Sequence, residues 1–155
     1  MGNKSKDENM EYHGTCYCGT VEVVVTGRPT ASGFCHCHSC RKWHSAPINA
    51  FSIWPKDKVK ITGDLIASNK DPVSERMTCS KCGGCLANGK PTLNMVAVYS
   101  QTLADSGFKY VPDFHIFYDE RVIDIADGLP KFNDLPETFG GSGNQVNEPE
   151  RSGWV

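Results

Sequence analysis

The segment "CHCHSCRKWH" (residues 35–44) places three cysteines and two histidines within its first six positions. Sulfur and imidazole groups spaced this closely are typical of a disulfide staple, a redox pair, a metal site or a catalytic nucleophile. The chain has 155 residues, enough for one domain with its own core, so a disulfide scaffold is not needed for stability. The positions of the other cysteines help to choose among these four uses.

The eight cysteines of the chain form three groups. These are Cys16 and Cys18; Cys35, Cys37 and Cys40; and Cys79, Cys82 and Cys85. Two close pairs from distant parts of a chain can share one tetrahedral zinc ion, with Zn–S bonds of about 2.3 Å. We therefore predict a structural zinc site formed by Cys16, Cys18, Cys79 and Cys82. Glycines follow both pairs, as expected where the backbone turns tightly. The alternative, cysteines buried as small apolar residues, is the better interpretation for Cys85.

Cys35, Cys37 and Cys40 provide three sulfurs. Three protein ligands with one open position are typical of a catalytic zinc ion, which lowers the pKa of a bound water or substrate thiol. The segment thus predicts a second, catalytic zinc site on these three cysteines. Two alternatives stay open: a histidine completes the group as a structural site, or one of the three cysteines takes no part.

The histidines within this segment are expected to have different surroundings. In an extended backbone, His36 and His38 point away from the neighbouring cysteines, so we place them behind the ligands or at the surface. If residues 39–44 are helical, His44 lies on the same face as Cys40. His44 is then a candidate fourth ligand or proton carrier, although a partly exposed histidine fits equally well.

Two basic residues follow the last cysteine of the segment. Arg41 and Lys42 are candidates for binding the thiolate or carboxylate of a substrate, and a solvated pair of charges is the alternative. Together with His44 they form the predicted substrate-binding residues.

Composition and charge exclude several classes of function. The formal net charge is −2, and no Lys/Arg cluster is dense enough to bind a phosphate backbone, so we expect no nucleic-acid partner. No stretch approaches the roughly 18 apolar residues of a membrane span, and the polar first ten residues do not resemble a signal peptide. We therefore expect a cytoplasmic protein without a membrane partner, in which thiols stay reduced and bind metal or catalyse. The oligomeric state is not indicated.

Short strand patterns dominate the middle of the chain. The alternation of Val21, Val23 and Val25 predicts a half-buried strand over 20–26, and further strands are predicted over 58–62, 93–99, 114–118 and 121–126. Only 39–44 and 100–106 are typical of short helices. We predict a mostly β protein of packed sheets, with a flexible lead at 1–10, a single zinc-binding domain at 11–139 and a flexible tail at 140–155.

Four stretches occur in a characteristic order: "GTCYCGTVEVVVTG" (14–27), "CHCHSCRKWHSAP" (35–47), "RMTCSKCGGCL" (76–86) and "HIFYDERVIDIADGLPKF" (115–132). Together they resemble the glutathione-dependent formaldehyde-activating enzyme family, whose domain is shared with centromere protein V. The resemblance implies a Mss4-like fold of packed antiparallel sheets clipped by zinc. It also implies the same two zinc sites that the cysteine spacing predicts.

The activity implied by the resemblance is a carbon–sulfur lyase reaction run in reverse, in which the glutathione thiol adds to formaldehyde to give S-hydroxymethylglutathione. In that scheme Cys35, Cys37 and Cys40 are the catalytic residues, and the partner is a small-molecule thiol such as glutathione. Two other functions stay open for this fold. One is a zinc-stabilised protein-binding module without catalysis, and the other is a zinc hydrolase in which water replaces the thiol.

Overall fold

The structure is a computed structural model that describes residues 7–69 and 71–155. Its internal contacts divide the chain into two compact units. The first contains the described residues of 7–31 and 52–110, and the second contains 32–51 and 111–155. Residues 1–6 of the predicted lead lie outside the described residues. The single domain expected over 11–139 stays a prediction.

The first unit contains a three-stranded antiparallel sheet in which β2 is central. Its strands are β1 (Glu11–Thr15), β2 (Glu22–Thr26) and β5 (Val59–Thr62), in the order β1-β2-β5. Val23 lies opposite Gly14 on β1 and Ile61 on β5. Val21, Val23 and Val25 are fully buried, which confirms the predicted apolar face.

A second group of antiparallel strands in this unit has the order β9-β8-β7-β6. The strands are β6 (Leu65–Ser68), β7 (Glu75–Cys79), β8 (Cys85–Lys90) and β9 (Met95–Tyr99). The pairing of β7 with β8 shifts register between Met77 and Thr78. Short 3-10 turns lie at Lys56–Lys58, Pro91–Leu93 and Ser100–Leu103. The last of these occupies the start of the segment predicted as a short helix over 100–106.

The core of the first unit lies between these strands. It is formed by apolar side chains from β2, β8 and β9, by Trp54, and by two cysteines, Cys16 and Cys79. Trp54 is fully buried, and its indole N–H donates to the carbonyl oxygen of Gly27 at 3.1 Å. This hydrogen bond satisfies the polar end of a side chain that otherwise packs in apolar surroundings.

The second unit has strands in the order β13-β12-β10-β3 and a separate two-stranded ladder of β11 and β14. The strands are β3 (Ala31–Cys35), β10 (Phe114–Ile116), β11 (Ile123–Asp124), β12 (Lys131–Phe132), β13 (Gln145–Val146) and β14 (Gly153–Trp154). β10 is parallel to both of its neighbours, β3 and β12. Strand β4 (Asn49–Pro55) contains the boundary between the two units.

The predicted mostly β fold is confirmed, but the sheets are mixed because of the two parallel pairings of β10. β10 is also shorter than the strand predicted over 114–118. Phe117 adopts a left-handed backbone with φ of 52°, and a 3-10 turn at Tyr118–Glu120 follows it. A β-strand cannot continue through that conformation.

The second unit contains the α-helix α1 (His38–His44), which confirms the short helix predicted over 39–44. It ends at Ser45, which has a left-handed backbone with φ of 51°. A second 3-10 turn of this unit lies at Glu137–Phe139. Across 7–69 and 71–155, no helix has the length and apolar character needed to cross a membrane.

Residues 140–155, for which the sequence predicts a flexible tail, contribute two strands to the second unit. Lys131 on β12 pairs with Val146 on β13, and Ile123 on β11 pairs with Trp154 on β14. Glu148 lies between β13 and β14 in the sequence, and its carboxylate binds the ammonium group of Lys131 at 2.6 Å.

Candidate metal centres

The first unit brings together the four cysteines predicted to share an ion. The sulfurs of Cys16, Cys18, Cys79 and Cys82 all lie within 4.8 Å of one another. Cys16 follows β1, Cys79 ends β7, and the other two lie in the turns that follow. The Cys16 and Cys18 sulfurs are 3.6 Å apart, and those of Cys18 and Cys79 are 3.9 Å apart. Two turns that are 61 residues apart in sequence therefore meet at one point.

Glycines allow both of these turns to close. Gly19 and Gly83 have left-handed backbones, with φ of 79° and 71°. The Gly19 N–H donates to the carbonyl of Cys16 at 3.0 Å, and the Gly83 N–H donates to that of Cys79 at 2.9 Å. Glycine adopts this conformation without the steric cost that a side chain would add. The left-handed backbone of these turns thus explains why a glycine follows each cysteine pair in the sequence.

Backbone N–H groups point at the sulfurs of this group. Val21 N–H donates to the Cys16 sulfur at 3.3 Å, and Gly84 N–H donates to the Cys82 sulfur at 3.4 Å. Burial raises the pKa of Cys16, but the Val21 N–H and the neighbouring side chains outweigh it and lower this pKa to about 6. A hydrogen bond from the Thr20 hydroxyl is the largest cause of the lowered pKa of Cys79. The surroundings of Cys16 and Cys79 therefore favour thiolates, the form that binds a metal. The Gly84 N–H lowers the pKa of Cys82, but burial and the neighbouring Cys79 and Cys18 outweigh it and raise this pKa.

The second unit brings together the other three cysteines. Cys35 ends β3, Cys37 caps the N-terminus of α1, and Cys40 lies in its first turn, with all three sulfurs within 4.8 Å of one another. The Cys40 N–H donates to the Cys37 sulfur at 3.3 Å. Cys35 and Cys40 are buried, while Cys37 is half-buried. Among residues 7–69 and 71–155, no histidine, carboxylate or further cysteine joins this group.

Without a cation, two of these three thiols, Cys35 and Cys37, favour the protonated state. Hydrogen bonds with Cys37 and Cys40 are the main cause of the strongly raised pKa of Cys35, and burial adds to it. The pKa of Cys37 is also raised. Three thiolates this close would repel one another, so a cation is needed to hold all three in the deprotonated form.

Both groups fit a soft divalent ion such as zinc. Each consists of sulfur donors only, with separations compatible with a shared ion, and each includes a sulfur that accepts a backbone N–H. Soft thiolate sets select zinc over magnesium or calcium, which prefer oxygen. The four-cysteine group has a closed set of ligands, whereas the three-cysteine group leaves one position for a further ligand.

The predicted substrate-binding residues occupy different positions around α1. The Arg41 guanidinium donates to the carbonyl oxygens of His36 at 3.0 Å and Glu120 at 2.9 Å. Lys42 is exposed, and His44 is half-buried with its ring 4.6 Å from that of Trp43. His44 does not lie with the three sulfurs as a fourth donor. The roles of these residues in binding a substrate stay predictions.

Cys85 lies outside both groups. It begins β8, opposite Thr78 on β7, and is half-buried. Burial raises the pKa of the Cys85 thiol, because an apolar environment disfavours the charged thiolate.

Sequence analysis did not identify a series of hydrogen-bonded polar side chains next to the three-cysteine group. His36, between Cys35 and Cys37, is fully buried, so of the two positions expected for it the one behind the cysteines applies, whereas His38 is exposed. The Nε2 atom of His36 lies 2.8 Å from Nδ1 of His115 on β10. Nε2 of His115 in turn lies 2.9 Å from the Asp127 carboxylate. The stretch 115–132 contains both His115 and Asp127, but no local pattern links them to His36.

Burial lowers the pKa of both histidines. For His36 the pKa falls to about 4, because burial and then the neighbouring His115 disfavour the charged ring. For His115 burial outweighs the hydrogen bond to Asp127, which acts in the opposite direction. Both rings are therefore neutral at neutral pH.

Comparisons with known proteins found a matching family and two similar proteins. A family model described as "Glutathione-dependent formaldehyde-activating enzyme" matches residues 11–120. A protein of Schizosaccharomyces pombe that is named an uncharacterized lyase is 32% identical over 84 residues. The alignment covers 52% of this chain and 61% of that relative, so it spans less than two thirds of the relative's length.

A crystal structure of a Rhodobacter sphaeroides protein is also similar. It aligns with a TM-score of 0.48 and 20% sequence identity, and it covers 66% of this chain and 98% of that one. The family match is the broader finding, because residues 11–120 are more than half of the chain and include every cysteine of both groups. This protein therefore belongs to the glutathione-dependent formaldehyde-activating enzyme family.

Proposed function

We propose that the protein is a zinc-dependent carbon–sulfur lyase that joins a thiol, glutathione or a similar molecule, to an aldehyde such as formaldehyde. The observation that carries this proposal is the three-cysteine group, in which Cys35, Cys37 and Cys40 lie within 4.8 Å of one another without a fourth protein donor in the described part of the chain. Membership of the family supports the choice of substrates, and the name of the yeast relative supports the class of reaction.

In the proposed reaction the sulfur of the substrate thiol forms a bond to the aldehyde carbon. The carbonyl π electrons move to the aldehyde oxygen, which takes up the proton released from the thiol. The product is the hydroxymethyl thioether, and no oxidant or reductant is consumed. When bound at Cys35, Cys37 and Cys40, zinc supplies the Lewis acidity that keeps a substrate thiol deprotonated at neutral pH.

The exposure of the three cysteines indicates the side from which a substrate would reach them. The half-buried Cys37 is the accessible member of the group, whereas Cys35 and Cys40 are each about 7% exposed. A substrate would therefore approach from the side of Cys37 and the start of α1. Lys42 is exposed on the same helix, and we propose that it attracts the carboxylates of a glutathione-like substrate.

We propose that the four-cysteine group holds a separate structural zinc. Cys16 and Cys79 belong to the apolar core of the first unit, so an ion bound there would tie β1 and β7 to that core. We also propose that the fold is Mss4-like. The protein would act in the cytoplasm, where its thiols stay reduced. Its partner is a small-molecule thiol, with no nucleic acid and no membrane involved.

Metal content and catalysis together test the proposal. Mass spectrometry of the protein purified without chelator should give two zinc ions per chain, and one for Cys37→Ser. Exchange NMR with ¹³C-formaldehyde and glutathione should then show adduct formation that accelerates in proportion to wild-type protein. Cys37→Ser should give only the uncatalysed rate.

The outcomes separate the three possible functions. If the wild type holds two zinc ions but does not accelerate adduct formation, the lyase proposal is wrong and a binding module is favoured. If ester or amide substrates are cleaved instead, the protein is a hydrolase. An unchanged rate in Cys37→Ser would exclude the three-cysteine group as the catalytic site.

A further inference from the structure

Two buried histidines and an aspartate of the second unit form one hydrogen-bonded series: His36, His115 and Asp127. Nε2 of His36 lies 2.8 Å from Nδ1 of His115, and Nε2 of His115 lies 2.9 Å from Oδ2 of Asp127. Both histidines are fully buried. In each of these two hydrogen bonds, one atom donates a proton and the other accepts it. Once the role of Asp127 is known, the proton positions on His115 and His36 follow.

Asp127 is the fixed end of the series. Its other oxygen, Oδ1, accepts the Leu129 N–H at 3.1 Å and the ammonium of Lys131 at 3.0 Å. Burial raises the pKa of Asp127, but the hydrogen bonds from His115 and Lys131 outweigh it and lower this pKa to about 2. A carboxylate can only accept, so Nε2 of His115 carries the proton that Oδ2 receives.

The proton on His115 then determines the tautomer of His36. A neutral ring protonated at Nε2 has an unprotonated Nδ1, so Nδ1 of His115 accepts from Nε2–H of His36. Nδ1 of His36 is left without a proton, and this buried atom has no hydrogen-bond partner within the described residues. A second proton there would bury both a positive charge and an unsatisfied N–H, at a cost that the site does not offset.

The backbone N–H and carbonyl of His36 both form hydrogen bonds. Its N–H donates to the carbonyl of Ile116 at 3.1 Å, and its carbonyl accepts from Arg41 at 3.0 Å. The same residue joins two predicted zinc ligands, Cys35 and Cys37. Side-chain and backbone contacts therefore both restrain the residue that joins Cys35 to Cys37.

We infer that Asp127, acting through His115, holds His36 in the tautomer protonated at Nε2 and makes His36 a positioning residue for Cys35 and Cys37. The tautomer does not depend on a bound metal. The positioning role rests on the proposed zinc site.

Asp127→Asn tests this inference because its effect on the series can be derived. The Leu129 N–H and the Lys131 ammonium both require an oxygen at the position of Oδ1. The amide nitrogen must then replace Oδ2 and donate to Nε2 of His115. His115 would carry its proton on Nδ1 and donate to Nε2 of His36, so both histidines would change tautomer.

Glu148→Gln is the matched control. It removes a charge that binds Lys131 at 2.6 Å but leaves the Asp127 to His115 contact in place. The tautomers can be read from the long-range ¹⁵N–¹H couplings of ¹⁵N-labelled full-length protein. We expect Nε2–H for His36 and His115 in the wild type and in Glu148→Gln, and Nδ1–H for both in Asp127→Asn.

A wild-type spectrum with Nδ1–H on His36 would overturn the inference, and this measurement is sufficient even if Asp127→Asn does not fold. Unchanged tautomers in a folded Asp127→Asn would overturn it as well. A switch of both rings in that variant alone would support it.

The positioning role is tested by the rate at which zinc is released to a chelator. Cys37→Ser lacks the zinc of the three-cysteine group, so the kinetic phase that is missing from its release curve belongs to that group. Asp127→Asn should release this zinc about tenfold faster than the wild type, at the low end of effects seen when groups behind a metal site are changed. Glu148→Gln should match the wild type. Equal rates for the wild type and Asp127→Asn would overturn the positioning role. A wild type without zinc at this group would overturn the proposed function, whereas the tautomer spectra would still decide the role of Asp127.

Discussion

The hydroxyl oxygen of Thr20 lies 3.1 Å from the sulfur of Cys18. The same oxygen is 3.5 Å from the sulfur of Cys79 and 3.9 Å from that of Cys16. One hydroxyl therefore contacts three of the four sulfurs, including Cys18, the exposed member of the group. A donor at this position stabilises thiolate charge and holds the ligands in place.

Replacing this hydroxyl should weaken metal binding without unfolding the protein. Thr20→Val keeps the shape of the side chain, and Thr20 is exposed, so we expect little change in melting of the metal-loaded protein. Zinc transfer from the four-cysteine group to a colorimetric chelator should be roughly tenfold faster. Thr20→Ser, which keeps the hydroxyl, is the control and should resemble the wild type. Equal rates for Thr20→Val and wild type would show that the hydroxyl has no role.

Loss of a ligand in the four-cysteine group should unfold the protein. Structural zinc binding contributes about 10–16 kcal/mol in small zinc domains, whereas whole proteins are stable by only about 5–15 kcal/mol. Cys79→Ser should therefore be insoluble or lack a cooperative melting transition in calorimetry. Cys85→Ser is the matched control, because Cys85 lies three residues beyond Cys82 but outside the group. A soluble Cys79→Ser protein with wild-type melting would contradict the structural assignment.

Loss of a ligand in the three-cysteine group should have a different effect. Cys37 caps a seven-residue helix and is half-buried, so Cys37→Ser should keep a folded protein while its zinc content falls from two ions to one. Serine retains an oxygen that can accept the Cys40 N–H, so the helix cap should survive. Circular dichroism and metal analysis on the same sample would measure both properties. Global unfolding would instead indicate a structural role for this group.

Gly14 should tolerate no side chain. A Cβ atom built on Gly14 would lie 2.2 Å from the carbonyl oxygen of Thr102, which belongs to the 3-10 turn at Ser100–Leu103. Because the clash is with backbone, Gly14→Ala should destabilise the protein by about 3 kcal/mol, the upper end of usual overpacking costs. A Cβ on Gly153 would meet no atom within 4 Å, so Gly153→Ala is the control. Urea unfolding of both variants would check this, and equal midpoints would contradict it.

Local patterns were sufficient for part of the fold. The alternation of valines predicted β2, and the sequence "SCRKWH" predicted α1, because strand and helix periodicities are visible over a few residues. Nine strands of the described residues were not predicted: β1, β3, β4, β6, β7, β8, β12, β13 and β14. β3 is "ASGFC" and β8 is "CLANGK", which contain small and polar residues without alternation. Their buried positions depend on neighbouring strands and not on their own pattern.

The spacing of the cysteines by itself determined which sulfurs would meet. Pairs separated by one or two residues can share an ion, so the pattern alone indicated a group of four and a group of three. The pattern could not show that Thr20 contacts three sulfurs of the first group, because a hydroxyl beside a metal site has no fixed spacing.

Only the tertiary structure decided what lies behind the three-cysteine group. His36 and His115 are 79 residues apart, and they meet because β10 pairs in parallel with β3. The alternation of side chains along an extended backbone indicated that His36 turns away from its neighbouring cysteines, but not what it would meet. A hydrogen-bond partner supplied by another strand depends on strand order and register, which long-range contacts set. The two cysteine groups were therefore readable from the sequence, and the residues that other strands place next to them were not.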